Sequence, residues 1–130
     1  SSLVKILYIL AGGALGALSR YAVSGLSHRL METTFPVGTL VVNLLGSFVI
    51  GLLFGLLELS NVSSNVRSFL FIGILGSFTT FSSYTLETLN LFRDGEMKAG
   101  ILNLLYNNVL GLILVFLGFL SARLLIQYFK

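Results

Sequence analysis

The segment GILGSFTTFSSY, residues 73–84, sits in the middle of an apolar run that extends from Ser68 to about Phe92. Glycines at 73 and 76 and hydroxyl residues at 77, 79, 80, 82 and 83 make it a poor continuous helix, because Ser and Thr side chains compete for backbone hydrogen bonds and glycine favours the unfolded backbone. Irregular backbone inside a membrane is tolerated only where protein or a polar cavity surrounds it. The segment therefore reads as a membrane-spanning helix interrupted at its centre, either by a simple glycine kink or by a break of the kind that presents carbonyls and helix ends to an ion.

Outward from this segment, three more apolar runs complete the chain: Leu3 to Leu26, Phe35 to Leu57, and Gly100 to Ile126. A run of about 20 apolar residues crosses the hydrocarbon layer as a helix, so the expectation is an all-α membrane protein with spans at 3–26, 35–57, 68–92 and 100–126 forming one transmembrane domain over 1–130. Pro36 suits the first turn of the second span, and the polar stretches Glu58 to Arg67 and Arg93 to Lys98 read as aqueous turns. The first run lacks a strongly basic leader, is interrupted by Arg20 and precedes three similar segments, so it reads as a retained span rather than a cleaved signal. Long non-alternating runs also argue against a membrane β-barrel.

Composition narrows the function. Of 130 residues, 55% are hydrophobic and only 10% charged, and the mean hydropathy is +0.96, which leaves no room for a soluble catalytic domain. The chain has no cysteine, one histidine (His28), no close mid-membrane carboxylate pair and no phosphate loop, so no enzymatic constellation is visible. The net charge of +3 is spread over eight Lys and Arg without a basic stripe, so nucleic acid is not an expected partner. Four spans put Lys5, Arg67, Arg123 and Lys130 on one side, against Arg29, Arg93, Lys98 and the nearby Arg20 on the other. That balance permits insertion in either orientation, and hence a pair of opposite orientation; a buried arginine that leaves a small bias is the plainer reading.

Polar residues within spans are costly and mark candidate sites. Arg20 ends a stretch in which Gly12 and Gly16 form a small-residue face for helix packing; it is held against carbonyls or an anion vestibule, or it snorkels to the headgroups. Thr39, Asn43 and Ser47 recur every four residues on one face of the second span, and Asn103, Asn107 and Gly111 do so in the fourth, with Tyr106 and Asn108 off that line. Such stripes line a polar pathway or glue helices together, and an asparagine amide offers two donors to a dehydrated anion. Phe81 and Tyr84 share a face after the break, as packed core or as rings whose electropositive edges meet an anion. Freed carbonyls at the break are hard ligands for a small cation. Glu87 is expected near the interface, satisfied by hydroxyl groups, with a proton-coupling role as the alternative.

These motifs, taken in order, resemble one family, the small bacterial-type fluoride channels of the camphor-resistance group (Fluc/CrcB). They are Gly12-Gly13 through Gly16 to Arg20-Tyr21; Phe35-Pro36-Val37-Gly38-Thr39-Leu40 with Asn43 and Gly46-Ser47-Phe48; Gly76 with Thr79-Thr80-Phe81-Ser82; and Asn103, Asn107 and Gly111. The resemblance covers nearly the whole chain. It implies an antiparallel, dual-topology homodimer in a bacterial plasma or inner membrane, exporting cytoplasmic fluoride passively through two pores. It further implies a fluoride pathway of Asn43, Phe81, Ser82, Tyr84 and Asn107, with Arg20 at the vestibule and Thr39 and Asn103 in vestibular or structural places. A structural sodium ion at the dimer axis is implied on the backbone carbonyls of Gly76 and Thr79. Tyr84 departs from the phenylalanine common in the family, and Asn107 stands where other members place serine. Two other function classes remain: a proton-coupled small-ion transporter, marked by a titrating Glu87, and a structural or drug-efflux membrane protein, marked by tolerance of apolar residues at Asn43 and Phe81.

Overall fold

The computed structural model describes residues 1–130 and is all-helical. Helix α1 (Ser2–Leu30) is capped by the Ser1 hydroxyl, which accepts from the Val4 amide. Helix α2 (Val37–Leu57) starts directly after Pro36, where a missing backbone donor is harmless. The third span, Ser64–Arg93, is two helices, α3 (64–78) and α4 (Phe81–Arg93), and the fourth is α5 (Met97–Tyr128). Each of the four is long and apolar enough to cross a bilayer. The chain is a multi-pass membrane protein, and its helices overrun the apolar stretches read from sequence by a few polar residues at most ends.

The break falls at Thr79 and Thr80, whose backbones are extended (φ −87°, ψ 158° and φ −145°, ψ 123°). Two further irregularities are wide, π-helical turns: Ser68–Leu75 within α3 and Tyr106–Leu110 within α5. Each inserts an extra residue into the helical register and so re-aims the side chains around it.

Close approach of backbones sets the packing, since lipid offers no hydrophobic drive for helices to associate. The first half of the third span lies against α1 at Gly12 and Gly16; a methyl group on Gly16 would overlap the Ile74 carbonyl. Helix α2 runs along α5 in the most extensive pairing of the fold, and a methyl on Gly118 would overlap the Phe48 carbonyl. Few large side chains are fully enclosed; Val42 and Asn103 are the two largest. The apolar surface otherwise faces outward, as a bilayer solvent requires.

Candidate functional site

The break is held from α2. Asn43 accepts from the Thr80 amide with Oδ1 (2.8 Å) and donates to the Thr80 carbonyl with Nδ2 (3.0 Å), so one side-chain amide satisfies both backbone groups of the extended residue. The other Nδ2 hydrogen goes to Asn107 Oδ1 (2.9 Å). Asn107 in turn donates to the carbonyl and Oδ1 of Asn103 (2.9 and 3.1 Å), Asn103 to Thr88 Oγ1 (2.9 Å), and Thr88 to the Tyr84 carbonyl (2.8 Å). The amide orientations follow from chemistry, because a backbone N–H only donates and a backbone C=O only accepts. The chain of bonds runs in one direction from α2 through α5 to α4, an arrangement in which each bond polarises the next.

A cavity of about 260 Å³ opens beside this ladder, lined by Asn43, Ser47, Thr80, Phe81, Tyr84 and Asn107 among others. From the residues alone the asparagine amides served either a passing anion or hydrogen bonds between helices, and the family resemblance favoured the anion. Here both Asn43 hydrogens and both Asn107 hydrogens are engaged with protein acceptors, so these residues wall the cavity and fix the break. Side-chain hydroxyls remain: Thr80 Oγ1 accepts from the Ser83 amide as the cap of α4 (3.1 Å), and neither it nor Ser47 donates to a protein group. Helix α4 begins at this point, with the positive end of its dipole toward the cavity.

The remaining candidates fall into place around it. Phe81 and Tyr84 meet edge to face, with centroids 5.4 Å apart and an interplanar angle of 75°. Tyr84 is buried, whereas Phe81 is 74% exposed on the protomer surface. Arg20 Nε donates to the Ser77 carbonyl (3.1 Å), so the cation sits at the end of α3, where carbonyls lose their helical partners, rather than snorkelling freely. Thr39 is buried one turn before Asn43 and Asn103 is enclosed, both in structural surroundings. Ser82 is exposed and does not line the cavity. The Gly76 carbonyl loses its ordinary helical donor, the Thr80 amide, to Asn43, and the Thr79 carbonyl accepts no backbone hydrogen bond.

Two features were missed in the sequence. Asn108 lines the cavity beside Asn107, although a regular helix would turn it about 100° away. The π-helical turn at Tyr106–Leu110 is what brings both inward, and the off-line pair Tyr106 and Asn108 was its one visible sign. Glu87 was expected to be satisfied by hydroxyls; the Thr39 hydroxyl of α2 stands at its carboxyl group, while Oε1 is buried without a partner beside a second cavity of about 370 Å³ that Glu87 shares with Ser24, His28, Asn90 and Asp94.

Residues 7–119 match the family model described as CrcB-like protein, Camphor Resistance (CrcB). The chain is 45% identical over 128 residues to a fluoride-specific ion channel of Parabacteroides distasonis, covering 98% of this chain and 100% of that protein. A protein of the same description from Salinibacter ruber is 48% identical over 116 residues, 89% of this chain and 87% of its own. One from Dehalococcoides mccartyi is 45% identical over 125 residues, 95% of each.

Proposed function

Because this chain belongs to the CrcB-like, camphor-resistance family, we infer that it is a passive, fluoride-selective channel of a bacterial membrane. The single observation that carries this reading beyond the family is the cavity at the centre of the third span, walled by a hydrogen-bonded amide ladder and by the rings of Phe81 and Tyr84. Fluoride is small and strongly hydrated, so a pathway must replace its water with fixed donors that need no reorganisation. Hydroxyl groups and ring edges supply such donors without a full positive charge that would trap the ion. Asn43 and Asn107 hold the walls, Phe81 and Tyr84 present their edges, and Arg20 draws anions toward the vestibule.

The functional unit is a homodimer with its copies in opposite orientation. The near-even distribution of basic residues favours it, as does the protomer's surface at mid-span. There Phe81, Ser82 and Thr85 are exposed, and hydroxyls facing lipid at that depth are unfavourable unless covered. Two equivalent cavities then give two pathways, and Ser82 joins a pathway only where the copies meet. A structural sodium ion fits the same surface. Gly76 is exposed, and the Gly76 and Thr79 carbonyls are the groups that the break frees; carbonyl oxygens are the hard ligands that a small cation takes. Such an ion would neutralise the converging carbonyl dipoles of both copies.

The buried, unpartnered oxygen of Glu87 is the observation that favours the second reading, a proton-coupled transporter. Efflux from liposomes separates the two. With a potassium ionophore to set the voltage, a channel loses fluoride in proportion to the electrical driving force and retains chloride. A proton-coupled transporter instead moves protons in step with fluoride and changes the pH inside the liposome; that result, or equal loss of chloride, would overturn the channel reading.

A further inference from the structure

We propose that Asn108 holds the Tyr84 hydroxyl as an additional hydrogen-bond donor to the anion in the cavity. The proposal rests on the channel reading above and assigns a role to a pair of groups that the amide ladder does not use. Asn108 Nδ2 donates to the Leu104 carbonyl (2.9 Å), an acceptor only, which fixes the nitrogen's position in the amide. The same nitrogen donates to the Tyr84 hydroxyl oxygen (2.8 Å). Tyr84 is therefore the acceptor in that bond, and its own proton has no acceptor in the protein. Both residues line the cavity, so that proton has the cavity to turn into.

The surroundings make the hydroxyl a fixed donor. The Tyr84 ring is buried and held edge to face against Phe81, and its carbonyl receives the end of the ladder from Thr88. Its oxygen is pinned from the other side by α5. A hydroxyl that accepts a hydrogen bond becomes a better donor, and a phenolic O–H is a stronger donor than an aliphatic one. The other cavity groups divide into those already engaged, the amides of Asn43 and Asn107 and the Thr79 hydroxyl bound to the Leu75 carbonyl (3.1 Å), and the weaker aliphatic donors Ser47 and Thr80. Tyr84 is thus the strongest uncommitted neutral donor lining the cavity. Asn108 acts only through it and is a positioning residue.

The test is the fluoride concentration that gives half-maximal flux, measured in liposomes for the unmodified protein, Tyr84→Phe, Asn108→Ala and the double variant. Tyr84→Phe keeps the ring and removes one oxygen, and it is expected to raise that concentration about three- to tenfold, the range for one neutral hydrogen bond. Asn108→Ala is expected to shift it in the same direction by less, and to add nothing in the Tyr84→Phe background. An unchanged half-saturating concentration in Tyr84→Phe overturns the proposal whatever Asn108→Ala does, and an Asn108→Ala effect that persists without the hydroxyl overturns the positioning role. Absence of fluoride flux in the unmodified protein is a different failure, that of the channel reading itself.

Discussion

Asn43 binds Thr80 by both backbone groups at once, across 37 positions of sequence, at 2.8 Å from its amide nitrogen and 3.0 Å from its carbonyl oxygen. The side chain does for this extended residue what a neighbouring strand does in a sheet. It turns a break that would leave two polar groups unpaired within the membrane into a defined structure. The same bond takes the Thr80 amide away from Gly76, so one contact both stabilises the break and frees a carbonyl.

Replacing Asn43 with alanine is expected to abolish fluoride flux and to lower the melting temperature of the detergent-solubilised protein. Each buried group left unpaired costs about 1–3 kcal/mol. Asn43→Asp keeps the acceptor for the Thr80 amide but loses both donors, so its melting temperature falls between those of the alanine variant and the unmodified protein. Equal stability of all three would show that the clamp carries no weight.

Phe81→Ile removes an aromatic ring from the cavity wall while keeping an apolar side chain on the protomer's exposed face. It is expected to block conduction and leave the dimer intact on size exclusion. Unchanged flux from this variant would remove the ring from the pathway.

A carbonyl-bound cation predicts dependence on sodium. Exchange of sodium for a large organic cation is expected to weaken dimer association, read by crosslinking between copies, and to reduce flux in parallel. A dimer equally stable in sodium-free buffer would leave the Gly76 and Thr79 carbonyls without their proposed ligand.

Gly16→Ala places a methyl group against the Ile74 carbonyl. Overpacking of this kind is expected to destabilise by about 1–3 kcal/mol, measured as a lowered melting temperature, because backbone rather than a flexible side chain must yield. Gly25→Ala in the same helix meets open space and serves as the matched control, with little change expected.

Much of the fold was legible in the sequence because the bilayer imposes a simple rule: apolar runs of sufficient length become helices, and a Gly, Ser and Thr cluster inside one becomes a break. Asn43 and Asn107 stood out for the same reason, since neither has a place in lipid without partners, and Phe81 and Tyr84 line the cavity with them while Ser82 does not. The partners of the asparagines were not legible. A sequence gives the donors of an asparagine but not which acceptors the fold brings near, and here the amides face Thr80 and Asn103. Asn108 was hidden by the assumption of a regular helix, which a single π-helical turn in α5 overturns. For Glu87 a hydroxyl partner was expected from its sequence neighbours, but Thr85 and Thr88 bond backbone carbonyls, and the hydroxyl at its carboxyl group is that of Thr39 in α2, with Oε1 left unpartnered.

If this chain is a fluoride channel, then fluoride, and not chloride or protons, carries its current. Currents would be recorded from the purified protein in a planar bilayer, with a fluoride gradient, equal chloride on both sides and a pH difference across the membrane. They are expected to reverse at the fluoride equilibrium potential and not to move with pH. Reversal at the chloride or proton potential, or no current from a folded dimer, would rule out fluoride conduction.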